Sequence, residues 1–92
     1  MDEKLKKQII DFFKDKDIKK VELFGSFARG EQNKNSDIDL LIDFNGGLFE
    51  FVKLKNSLEE KLNKKVDLVT KDSISPYIWE YVKNDVKVIY EK

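Results

Sequence analysis

The stretch Phe24-Gly25-Ser26-Phe27-Ala28-Arg29-Gly30, followed closely by Ser36-Asp37-Ile38-Asp39-Leu40, decides how this sequence folds. Lys19 to Phe24 sets Val21 and Leu23 on one face and Glu22 and Phe24 on the other, the alternation of a strand. Gly25 ends that strand, and Ser26 is expected to cap a short helix reaching about Gly30. Glu31 to Ser36 reads as a polar loop. Asp37 to Phe44 is a second strand, with Ile38, Leu40 and Ile42 on one face and Asp37, Asp39, Leu41 and Asp43 on the opposite one.

Outward from this centre the periodicity changes. Leu5, Ile9, Phe12 and Phe13 recur at helical spacing, predicting an amphipathic helix over residues 3–16. After the Asn45-Gly46-Gly47 turn, a longer helix is expected over 48–63, with Leu48, Phe51, Val52, Leu58 and Leu62 along one side. Lys65 to Thr70 is a third strand. Ser75-Pro76 signals a helix start, serine as N-cap and proline at the first helical position. That helix is expected to reach about Asn84 and to bury some of Tyr77, Ile78, Trp79, Tyr81 and Val82, with Trp79 as an ordinary core residue. Val86 to Tyr90 makes a last short strand. The order α-β-α-β-α-β-α-β, without repeats or linkers, predicts one small α/β domain over residues 1–92.

Composition narrows the chemistry. The 92 residues hold no cysteine and no histidine, which removes disulfides, thiolate chemistry and the usual general base. Proton and metal chemistry would fall to carboxylates. Formal net charge is zero, so bulk charge gives no hold on nucleic acid, and no direct nucleic-acid partner is expected. No apolar run is long enough for a signal peptide or a membrane span, so a cytoplasmic protein is expected. Of the 18 basic residues Arg29 is the single arginine, and its planar fork suits phosphate or carboxylate better than a lysine does.

Asp37 and Asp39 stand at i and i+2, hence on one strand face roughly 6.5–7 Å apart along the chain. Carboxylates at that spacing can bridge divalent metal, and oxygen-only ligands favour magnesium or manganese. A solvated strand face in a chain with 39% charged residues produces the same pattern, and Asp43 at the strand end is read that way. Asp67, with apolar neighbours on both sides, is the candidate third carboxylate, because a carboxylate in a buried strand needs a partner; the alternative is an edge strand where Asp67 meets water. Gly25 lets backbone approach a ligand, and amides at the start of the following helix can face an anion. Gly25 to Gly30 is no P-loop, since it lacks the lysine-serine or lysine-threonine ending.

Gly25-Ser26, ten intervening residues, then Asp37-Ile38-Asp39 resembles the signature of the DNA polymerase beta-like nucleotidyltransferases. The fuller pattern is similar to their minimal members, the MNT proteins, over nearly the whole length. The resemblance implies the polymerase beta-like fold, a small mixed sheet flanked by helices. It implies two magnesium ions held by Asp37, Asp39 and Asp67, with manganese as the alternative, and Asp67 also helping to deprotonate the acceptor hydroxyl. Gly25 and Ser26, with Arg29 in a less defined role, would hold the triphosphate of ATP. MNT proteins pair with a helical HEPN toxin and act as its antitoxin by adding AMP to a tyrosine, so a hetero-oligomer with such a partner is expected. The second reading is a binding module that keeps the nucleotide motif and neutralises its partner by occlusion. A free-standing transferase acting on small molecules fits less well, because no acceptor domain is evident.

Overall fold

The computed structural model describes residues 2–92. In chain order the elements are α1 (Glu3–Phe13), β1 (Lys20–Phe24), α2 (Gly25–Arg29), β2 (Ile38–Ile42), α3 (Leu48–Leu62), β3 (Val66–Thr70), α4 (Pro76–Val82) and β4 (Lys87–Glu91). The strands form one sheet in the order β3-β2-β1-β4. β1 runs antiparallel to both neighbours, whereas β2 and β3 are parallel, joined by α3 as the crossover. The result is the mixed sheet with flanking helices that the sequence leads one to expect.

One face of the sheet carries the core. Val21 and Leu23, Ile38, Leu40 and Ile42, and Val66 and Leu68 point inward against Leu5, Ile9, Phe12 and Phe13 of α1 and Leu54, Leu58 and Leu62 of α3. The four buried side chains of α1 contribute on the order of 1.5–3 kcal/mol each in burial free energy. Asp2 caps α1, its Oδ1 accepting from the Lys4 amide at 3.2 Å. α3 ends where Asn63 turns into the left-handed region at φ 53°. Glu59 then reaches past the turn to accept from the Val66 amide at 2.8 Å, tying α3 to the start of β3.

Two packing expectations are overturned. In α3 the buried line is Leu54, Leu58 and Leu62, while Leu48 and Val52 in the first turns stand exposed. No residue of α4, all of them among the described ones, is buried: Tyr77 is 85% exposed and Tyr81 88%. Trp79 is therefore not a core residue. Pro76 and Trp79 of the helix instead line a cleft with Glu22 and Leu41, on the sheet face opposite to α1 and α3. Its start is as expected, with Ser75 Oγ accepting from the amides of Tyr77 and Ile78 and Pro76 at the first helical position.

Candidate active site

The face opposite the core carries the chemistry. Strand register sets Phe24 opposite Asp39, and Asp39 opposite Asp67, in one row across β1, β2 and β3. Asp39 is half-buried on a central strand. Asp67 lies on an edge strand and is exposed, so the expectation that it sits desolvated in a buried strand fails. Strand order, not hydrophobic flanks, brings it to Asp39. Asp37 precedes β2 and is exposed, delivered by a loop whose turn is closed on itself. There the Asn33 amide donates to Ser36 Oγ at 3.0 Å and the Asn35 amide to Asn33 Oδ1 at 2.8 Å.

Gly25 is fixed by two independent constraints. Its φ of 74° is left-handed, and a β-carbon there would collide with the Asp39 carboxylate, approaching its Cγ to 2.9 Å. The turn is thus packed directly against the central carboxylate. α2 begins at Gly25 with Phe24 as its N-cap and no side-chain cap, so Ser26 stands inside the first turn rather than capping it. This is a correction to the expected cap. Its consequence is that the Ser26 hydroxyl is not committed to the helix, and the first-turn amides have no intrahelical acceptor.

Arg29 ends α2 exposed, its Nε 3.1 Å from Glu31 Oε2 and its NH1 3.5 Å from Asp85 Oδ2. It therefore links α2 to the segment after α4, a contact across 56 positions that nothing in the local sequence signals. Asp43, at the far end of β2, accepts from the amides of Lys19 and Lys20 at 3.2 and 3.1 Å and holds the start of β1.

The electrostatics converge on Asp39. Burial, then the negative charges of Asp67 and Asp37, then a hydrogen bond with Asp67 push its carboxyl up from 3.8 to about 6, against the opposing pull of Arg29. A carboxyl hydrogen-bonded to a second carboxyl is a place where a proton or a cation relieves repulsion. The donors are all oxygen, which suits magnesium or manganese. Among the described residues no three acidic groups are already gathered into a ligand set, though the charges of both Asp37 and Asp67 are felt at Asp39. A cleft of about 440 Å³ beside Asp37 is lined by Lys34, Lys64 and Lys65, cations that charge balance alone did not reveal.

Known proteins are similar to this chain. The nucleotidyltransferase domain family matches residues 6–89. A protein of Methanocaldococcus jannaschii named "Putative protein adenylyltransferase" is 41% identical over 83 residues, covering 88% of this chain and 89% of that one. The protein adenylyltransferase MntA of Thermococcus cleftensis is 38% identical over 71 residues, covering 75% of this chain and 72% of its own length. A crystal structure of a toxin-antitoxin with AMP-PNP superposes with a TM-score of 0.81 at 27% identity, covering 95% of this chain and 73% of that one. Among the described residues no helix is long and apolar enough to cross a membrane. A family match over this span takes in the turn at Gly25, β1 to β3 and the first part of β4, and the chain accordingly belongs to the nucleotidyltransferase domain family and is a nucleotidyltransferase.

Proposed function

We propose that this domain, acting as one unit over residues 1–92, transfers AMP from ATP to a hydroxyl of a partner protein, and that the partner is a HEPN-type toxin modified on a tyrosine. The observation that carries the reading is the row Phe24, Asp39, Asp67, with Gly25 packed so closely on Asp39 that no β-carbon fits. A triphosphate seated on the Gly25-Ser26 turn meets the central carboxylate at contact distance. The protein adenylyltransferase names of the relatives and the toxin-antitoxin assembly of the structural neighbour support the same reading.

In the transfer, Asp67 takes the proton of the acceptor hydroxyl, and its exposure on the edge strand leaves it open to an incoming side chain. The hydroxyl oxygen attacks the α-phosphorus, the bond to the bridging oxygen breaks, and pyrophosphate departs. Ser26 and the first-turn amides hold the departing phosphates. Magnesium, which Asp37, Asp39 and Asp67 would hold, supplies neutralisation of phosphate charge. Catalysis is otherwise positioning. The exposed aromatics of α4, Tyr77 and Tyr81, offer the surface a hetero-oligomeric partner covers.

The test combines ATP labelled at the α-phosphate, magnesium and the co-purified partner, with Asp37→Ala/Asp39→Ala as control. Label on the partner that disappears in the double variant is the expected result. A complex that forms tightly and silences the partner without label, equally in both proteins, would establish occlusion instead.

A further inference from the structure

One row further along the same sheet face lies a second feature that the phosphate chemistry does not use. Register pairs Glu22 with Leu41, and Leu41 with Val69, two residues beyond the Phe24, Asp39, Asp67 row. Glu22 is the one buried charged side chain among the described residues, at 6% exposure. It lines a cleft of about 570 Å³ between the sheet and α4, together with Leu41, Lys71, Ile74 and Trp79. A volume of that order accommodates a small organic ligand. Burying a carboxylate in the middle of a sheet is unfavourable unless something answers it.

The answer from the protein is one-sided. Lys71 Nζ stands 3.3 Å from Glu22 Oε1, and Lys20 Nζ stands 4.0 Å from the same oxygen. Both cations stand against Oε1, and among the described residues no hydrogen bond engages Oε2. The cleft therefore presents an acceptor oxygen between an aliphatic floor, Leu41 and Ile74, and the indole of Trp79, 37% exposed. A flat aromatic ring bearing an amino group meets all three demands at once: stacking on the indole, contact with the leucine and isoleucine, and an N–H for the free oxygen. The offset from Asp39 is two strand residues, roughly 7 Å, a separation that a ribose bridges.

We infer that this cleft is the base subsite of the nucleotide, in which an exocyclic amino group, the N6 amine of adenine in ATP, donates to Glu22 while the ring lies against Trp79. The inference rests on the transferase reading above and adds to it the groups that choose the base. It also gives α4 a function: the helix is one wall of the subsite.

Trp79 is the single tryptophan of the chain, so its fluorescence reports this cleft alone. ATP with magnesium should quench it. Purine ribonucleoside triphosphate, which lacks the amine, should bind about tenfold or more weakly, as loss of a hydrogen bond to a charged group implies. In Glu22→Gln the two lysines, donors only, claim the amide oxygen and turn the amide nitrogen into the cleft. That variant should bind inosine triphosphate, with a carbonyl in place of the amine, more tightly than ATP, reversing the wild-type order. Should Glu22→Gln fail to fold, the wild-type comparison of ATP with the amine-free analogue decides. ATP binding seen by calorimetry with unchanged Trp79 emission, or equal affinity for the analogue, would overturn the subsite and leave the transferase standing. Absence of ATP binding altogether would remove both.

Discussion

Asp39 illustrates how a residue can work against its own fold. Its carboxyl titrates at about 6 in the folded chain against 3.8 for the free group, so the native state holds a proton that the unfolded chain releases. The stability tied to that proton is complete below about pH 4 and is lost as pH rises through 6. At 1.36 kcal/mol per pKa unit, and discounted because the side chain is only half-buried, ionised Asp39 destabilises the metal-free protein by about 1–2 kcal/mol at neutral pH. Asp39→Asn should therefore unfold at higher urea than the parent at pH 7.5 without metal, with the difference shrinking towards pH 4. A variant no more stable than the parent would place the repulsion elsewhere. Gly25 makes the opposite case. Gly25→Ala adds left-handed strain of about 1–3 kcal/mol and drives a methyl into the Asp39 carboxylate. A displacement of that kind should lower transfer by about a hundredfold, measured as label incorporated per minute.

At the scale of elements, α4 is fastened by its ends rather than by its face. Ser75 caps its start, and Arg29 grips Asp85 just past its end. Ser75→Ala should cost about 1 kcal/mol locally, with the amides of Tyr77 and Ile78 exchanging faster while those of β1 and β2 keep their protection. Equal acceleration in the central strands would mean that α4 belongs to the global unit. The same helix shows where the sequence stops being legible. The alternation of Val21 and Leu23, and of Ile38, Leu40 and Ile42, announces strands and the face they bury, and both are found as read. Tyr77, Ile78, Trp79 and Tyr81 announce an apolar helix equally well, yet periodicity names a face without naming what covers it. The burial expected of Asp67 failed for a related reason: Val66 and Leu68 mark a strand, but whether it is central or at an edge depends on strand order, which local pattern does not encode. The cap was misplaced by two positions because the left-handed Gly25 itself opens the helix, leaving Phe24 as the cap in place of Ser26. Glu22 looked like an ordinary outward-facing strand residue, and its burial depends on neighbours distant in sequence, Lys71 beside its carboxylate and Trp79 across the cleft.

For the whole molecule, a single core on one side of a four-stranded sheet carries the stability, and the other side is left to ligands and partners. That division predicts which changes are silent. Tyr77→Ser with Tyr81→Ser, both on fully solvated positions, should leave the urea midpoint of the isolated chain within about 0.5 kcal/mol of the parent. The same pair should weaken the complex with the partner by tenfold or more, read by surface plasmon resonance, if those rings anchor the interface. Unchanged affinity would move the interface off α4, with Phe49 of α3, 92% exposed, the next apolar group to substitute.

The contact between Gly25 and the Asp39 carboxylate also imposes an order on mutation. While aspartate stands at position 39, any side chain at position 25 must displace its carboxylate as well as take a left-handed φ, so drift at 25 comes at the expense of the site. Once 39 shrinks to alanine, only backbone strain and a 3.3 Å approach to its β-carbon remain, and the two changes together should harm the fold less than their separate effects summed. Loss of catalysis would then open a path that cannot easily be retraced: a descendant that has filled position 25 no longer has room to recover its aspartate.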